Sequence, residues 1–416
     1  MGRLRVLTLF IAVILVASGG FVAGATMDRA GMLPGSVISE PESAASTFSI
    51  FWQAWNLVQA HYVDRSAVDP TRMTYGSIQG MLDSLGDVGH TRFLTPKQLQ
   101  EEQESLAGQL QGIGAEVGVR EGLPVIIAPI AGSPAQKAGL RPGDVIVKVN
   151  GEDVAGLSIS QIVSLIRGPA GTKVTLTIIH HGESELTDVT ITRAKITVHN
   201  VSWAFLPGTK VAHILISQFG EHTTDELVTA LKAAQTSGAT AIILDLRNDP
   251  GGIRDEAVGV ASQFLRDGNV LIEQDAKGKR TEFPVKAGGA ATDIPMVTLI
   301  NEGTASAAEI VAGALQDHNR GPLIGATTFG TGTVLTPYDL RDGSAILLGT
   351  EEWLTPNGHQ IWHHGVTPNI SVALPNNGFP LIPDEESSLS PQQLQSSKDT
   401  QLLRALKEIT DKSQGQ

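Results

Sequence analysis

Ile242-Ile243-Leu244-Asp245-Leu246-Arg247-Asn248-Asp249-Pro250-Gly251-Gly252 is an apolar run that ends in a polar, glycine-rich turn. A buried strand delivering such a turn lets backbone N–H groups approach a bound molecule closely, because glycine has no Cβ to hold it away. Outward from this stretch, strand-like runs at Val211 to Ile216, Ala241 to Leu246 and Met296 to Ile300 alternate with helix-like segments at Thr224 to Ala234, Asp255 to Leu265 and Ser306 to Leu315. That alternation predicts an α/β core built on a mainly parallel sheet. The strand at Met296 leads through Asn301-Glu302-Gly303-Thr304-Ala305 to Ser306, at the head of a helix and flanked by small residues. Such a position suits a nucleophile, since the helix N-terminus offers unpaired N–H groups and partial positive charge to a developing oxyanion. Read alone, Ser306 serves equally well as an ordinary helix N-cap.

The chain has 416 residues, enough for two or three domains, and its 41% hydrophobic content supports packed cores rather than disorder. A formal charge of −13 argues against a general nucleic-acid binder, which needs a basic surface. There is no cysteine, which removes disulfides, thiol catalysis and Cys-ligated zinc and leaves Ser, Thr or Lys as nucleophile. At the N-terminus, Arg3 and Arg5 precede the uncharged run Val6 to Ala25. Its length matches a bilayer core of about 30 Å. Residues 1–25 are therefore expected to meet the membrane as a signal peptide or a retained anchor, with the remainder exported or facing outward. A linker (26–47), a helical region (48–107), a β-rich module (108–194), the α/β core (195–375) and a Ser/Gln/Pro-rich tail (376–416) ending in a short helix complete the organisation.

Within 108–194, β-rich runs at Val125 to Ile130, Val145 to Val149 and Val174 to Ile179 surround one amphipathic segment, Ser160 to Ile166. Gly112-Ile113-Gly114-Ala115 precedes the first strand, and its successive N–H groups can form a concavity for a carboxylate. After it come Gly132-Ser133-Pro134-Ala135, Ala138-Gly139-Leu140-Arg141-Pro142-Gly143-Asp144 and the turn Asn150-Gly151. This ordered string resembles a PDZ domain of the bacterial protease type. The resemblance implies capture of an extended C-terminal peptide along a sheet edge, with its carboxylate at residues 112–115.

Over most of residues 48–375 the chain resembles the carboxy-terminal processing, or tail-specific, proteases. The match runs through Asp87 to Leu94, the PDZ-like module, the turn at 245–252, Glu302 to Asp317, Thr328-Phe329-Gly330, Thr355-Pro356-Asn357-Gly358 and Gly365-Val366-Thr367-Pro368. It implies a crotonase/ClpP-like protease core, Ser306 as nucleophile, and the amides of Gly252 and Ala307 as oxyanion hole. It also implies protein or peptide substrates with free C-termini and no cofactor or metal, and it leaves a homo-oligomer open. Against the family pattern, the lysine base and its glutamine partner are replaced by Thr331 and Leu335, neither of which can take a proton from serine at neutral pH. The leading substitute is His90, since histidine titrates near neutrality and the similar tricorn-like proteases use a Ser-His-Glu arrangement. Asp87, Glu351 and Glu352 are the candidate acids to orient it, and His363 and His364 are weaker candidate bases. The alternative function is a catalytically inactive, peptide-binding scaffold.

Overall fold

The computed structural model describes residues 45–414, apart from 88–89, 121–122, 131, 158, 181–182, 198 and 376–377. The expected membrane-meeting run and nearly all of the linker lie outside the described residues. Among the described residues no helix is long and apolar enough to cross a membrane.

The core is a six-stranded sheet in the order Val201–Phe205, Val211–Ile216, Ala241–Asp245, Met296–Ile300, Leu323–Gly325 and Ile370–Ser371. The first pair is antiparallel and every later pair is parallel, as the alternation of strands and helices requires. Both faces are covered, which is why the central strands read as continuous apolar runs. Ala212, Ile214, Ile242, Leu244 and Met296 meet the helices Thr223–Thr236, Arg254–Ser262 and Ala307–Asp317. The alternate set, Val211, Ala241, Ile243, Val297 and Leu299, packs on Leu402, Ala405, Leu406 and Ile409 of the helix Thr400–Gln414. The expected C-terminal tail is thus corrected. Its Ser/Gln/Pro content hides an apolar stripe at helical spacing, and that stripe completes the second layer of the core.

A second, antiparallel sheet orders Arg92–Leu94, Ala345–Leu354, Asn269–Asp275 and Arg280–Pro284, with Thr333–Asp339 also paired to Ala345–Leu354. The three-residue strand Arg92–Leu94 stands in a region expected to be helical; its partner lies some 250 residues away, beyond any local pattern. It follows the helices Ala45–His61 and Pro70–Asp83 and precedes Pro96–Leu106, whose start is capped by Thr95 and Gln98 with Pro96 in the first turn. The β-rich module is a five-strand path, Ala115–Arg120, Leu123–Pro129, Val145–Val149, Lys173–Ile179 and Leu186–Thr192, around Ile126, Ile146, Ile162, Leu176 and Ile178. It joins the body through a two-stranded ladder of Gln109–Gly112 with Ala194–Thr197.

Candidate active site

Ser306 sits between the strand Met296–Ile300 and the helix Ala307–Asp317 with φ 54° and ψ −119°. A non-glycine residue there is strained, and the strain turns the side chain out of the strand-to-helix bend. The bend is laced to the glycine-rich turn. Thr304 Oγ1 donates to the Leu246 carbonyl (2.7 Å), Ala305 N–H to that of Asp249 (2.9 Å), and Asn301 Nδ2 to Asn248 Oδ1 (2.8 Å). Gly251 packs so tightly that a Cβ on it would stand 2.6 Å from the Ser306 Cβ, and one on Gly252 would stand 2.3 Å from the Phe219 carbonyl oxygen. Glycine is required at both places. Ile253 N–H and Phe219 N–H are consumed in bonds that fix this turn, whereas neither Gly252 N–H nor Ala307 N–H has an acceptor among the described residues. Burial pushes the Asp249 carboxyl well above its usual range, against a bond from Gly251 N–H and helped by nearby Asp245.

Beneath the serine lies a residue that sequence reasoning passed over. The carboxylate of Glu309, fully buried, accepts from Ser306 N–H (2.9 Å), Gly330 N–H (2.7 Å), Thr331 N–H (3.0 Å), Thr331 Oγ1 (2.6 Å) and Thr328 Oγ1. Thr331 Oγ1 in turn accepts from Ser306 N–H at 2.7 Å. Thr331, where the family's lysine is expected, is therefore a buried strut of the serine bend. The spacing Ser306-x-x-Glu309 was the available signal, since it is that of a capping box. Leu335 lines the groove above, where a bulge interrupts its strand's pairing.

His90 and Ser306 line one groove of about 700 Å³, together with Pro250, Gly251, Gly252, Val334, Leu347 and Trp353. No hydrogen bond joins His90 to Ser306 among the described residues. His90 is 5% exposed, and burial pushes its pKa down to about 4, opposed by the Asp87 charge and aided by that of Arg92. Nδ1 is 2.5 Å from Thr333 Oγ1 and 3.9 Å from Asp87 Oδ2. Asp87 is itself held by Thr91 Oγ1 (2.6 Å) and by the Trp362 indole N–H (3.2 Å). Of the three candidate acids, Asp87 alone approaches the ring. Glu351 faces Glu273, and Glu352 accepts from Gln360. His363 and His364 are exposed and do not line the groove.

In the β-rich module, Gly114 has φ 74°, Ile113 is buried, and the two carbonyls accept from Ala135 N–H and Ile130 N–H. Neither Ile113 N–H nor Gly114 N–H has an acceptor among the described residues. Gly112 closes one strand and Ala115 opens the next, Ala115–Arg120, which among the described residues pairs with Leu123–Pro129 alone and so leaves an edge free.

Behind the glycine-rich turn, on the far side of the sheet, His213 is fully buried with Nδ1 2.8 Å from Glu386 Oε1 and Nε2 3.1 Å from Asp245 Oδ2. Arg247 donates to Asp245 through Nε and Nη2, and to Asp399 through Nη1. Burial alone would lower the histidine's pKa, but the bonds and charges of the two acids overcome it and push it up to about 9. Arg247 and His213 likewise hold the Asp245 carboxyl far below its usual range, against its desolvation.

Residues 210–372 match peptidase family S41, and residues 125–179 match the PDZ domain. The chain is 36% identical over 331 residues to the carboxy-terminal processing protease CtpA of Bacillus subtilis, covering 80% of this chain and 70% of that one. It is 37% identical over 337 residues to a CtpA-like serine protease of Staphylococcus aureus, covering 80% and 66%. Among solved structures, a Bacteroides fragilis protein assigned to the S41 proteases superposes with a TM-score of 0.55 at 16% identity over 86% of this chain and 97% of that chain, a likeness of fold.

Proposed function

The chain belongs to the carboxy-terminal processing serine proteases of peptidase family S41, and on that premise we propose that it is an exported, membrane-anchored endopeptidase that cuts protein tails at Ser306 with His90 as general base. The observation that carries this reading is the strained serine bend with two unpartnered amides beside it and a buried, neutral imidazole on the same groove. Neutral His90 takes the Ser306 proton through Nε2 as Oγ bonds to the scissile carbonyl carbon. The carbonyl π pair moves onto oxygen, where the amides of Gly252 and Ala307 receive the charge. The imidazolium returns that proton to the departing amine as the C–N bond breaks, and water, deprotonated the same way, releases the acyl group. A tail enters by adding to the free edge of Ala115–Arg120, with its carboxylate at the Ile113 and Gly114 amides. Thr331 and Leu335 favour the opposing reading, a scaffold that binds tails without cutting them.

A fluorophosphonate probe and a tailed substrate separate the two. The wild type is expected to be labelled at Ser306 and to cleave. Ser306→Ala should lose label and lower turnover by about 10⁴-fold or more. Amidating the substrate's terminus should slow cleavage by the wild type. Binding of the tail with neither label nor cleavage would establish the scaffold.

A further inference from the structure

Thr333 lies two residues beyond the lysine position, at the start of the strand Thr333–Asp339, and its hydroxyl stands 2.5 Å from His90 Nδ1. A neutral imidazole has one proton and two nitrogens, and it acts as base only through the bare one. We propose that Thr333 is a positioning residue that receives the Nδ1 proton of His90 and thereby holds the tautomer whose Nε2 lone pair is free for Ser306. This rests on His90 being the base.

One observation favours that direction of the bond, and two show that the site can accommodate it. Asp87 Oδ2 stands 3.9 Å from Nδ1, so a negative charge lies on the side where the proton is placed. Thr333 is buried and its Oγ1 makes no other hydrogen bond among the described residues, so no competing partner engages the hydroxyl, whose oxygen can accept from Nδ1–H. Gly349 leaves room for the arrangement: a Cβ there would stand 3.1 Å from Thr333 Oγ1 and 3.2 Å from Asp87 Oδ2. The charged groups facing the ring are Asp87 from its own loop and Arg92, whose guanidinium is neutralised by Glu102 of the helix Pro96–Leu106 at 2.8 Å. The strands Thr333–Asp339 and Ala345–Leu354 present Thr333 and uncharged Gly349 to this cluster. With the Asp87 charge setting the direction, the hydroxyl accepts the Nδ1 proton without adding a second charge that would raise the pKa of the base.

The test uses the full chain. In ¹⁵N-histidine-labelled Ser306→Ala protein, two-bond correlation spectra should show His90 as a single Nδ1–H tautomer. Thr333→Val should convert it to a mixture or to Nε2–H, and Thr333→Ser should restore it. In the chain with Ser306 intact, Thr333→Val should lower kcat about 10- to 100-fold with KM within about twofold, a share of the roughly 10²- to 10⁴-fold that general base catalysis contributes. Thr333→Ser should recover most of the loss. An unchanged tautomer together with unchanged kcat in Thr333→Val would overturn the role of Thr333 alone, provided His90→Gln is inactive. Full activity in His90→Gln would instead overturn the base assignment on which it rests.

Discussion

Among the described residues two histidines are buried, and they are driven to opposite protonation states. His90, on the groove that Ser306 also lines, has a hydroxyl at 2.5 Å and a carboxylate no nearer than 3.9 Å, and burial pushes it down to about 4. His213, on the far side of the sheet, has carboxylates at 2.8 and 3.1 Å and is pushed up to about 9. Loss of water alone therefore does not decide the charge of an imidazole, since the more deeply buried ring is the one pushed up; the partners decide it. The first ring is left able to accept a proton. The second is a cation that binds the strand Ala241–Asp245 to the C-terminal segment through Asp245 and Glu386.

The strongest way to break this contrast is to remove each ring in turn. His90→Gln should cut kcat by about 10³-fold or more while the urea midpoint barely moves. His213→Gln should do the reverse. It leaves Glu386 buried without a cation and Asp245 with Arg247 alone, at a cost of about 3–5 kcal/mol of stability in urea titrations, with turnover per folded molecule retained. If the two variants lose the same property, the division of roles fails.

The pH dependence sharpens the contrast next. His90 has a folded pKa below the ordinary 6.5, so its contribution to stability is present above about pH 6.5 and lost as pH falls toward about 4. As the base it must be neutral, so the acid limb of kcat/KM should lie near pH 4 rather than 6.5. His213 has a folded pKa above the ordinary value, so its contribution is complete below about pH 6.5 and lost as pH rises through about 9. Urea midpoints across pH 6 to 10 should fall in the wild type and fall less in His213→Gln. An acid limb at 6.5 would contradict the state assigned to His90.

The smallest effect concerns Glu309, a buried acid with no ion-pair partner among the described residues, which accepts from the serine bend and Thr331. Glu309→Gln puts an amide N–H against the Ser306 and Thr331 donors, and about 1–3 kcal/mol of stability should be lost. Turnover should follow more weakly than in His90→Gln. Melting temperature and kcat measured together check this, and a loss of activity equal to that of His90→Gln would place Glu309 within the proton path.

Much of this could be read before any coordinates. The strands Val145–Val149, Val211–Ile216 and Met296–Ile300 have the bounds their apolar runs announced, and the glycine-rich turn lies against Ser306 as the two motifs implied. What escaped reading depends on distant pairing. The strand Arg92–Leu94 exists because Ala345–Leu347 accepts it, and Thr333 meets His90 across 243 positions of chain. The helix Thr400–Gln414 was visible as a helix, but the sheet it covers was not. Glu309 could have been suspected from its spacing to Ser306; its grip on Thr331 could not.

The ladder of Gln109–Gly112 with Ala194–Thr197 places the entry and exit of the PDZ module side by side, at the spacing of neighbouring strands, about 5 Å. A gap that narrow can be closed by a two-residue hairpin. The module is in effect a cassette. It can be exchanged for another reader of peptide ends, or deleted, without rerouting the chain that builds the catalytic body, so tail recognition and bond cleavage are free to diverge separately.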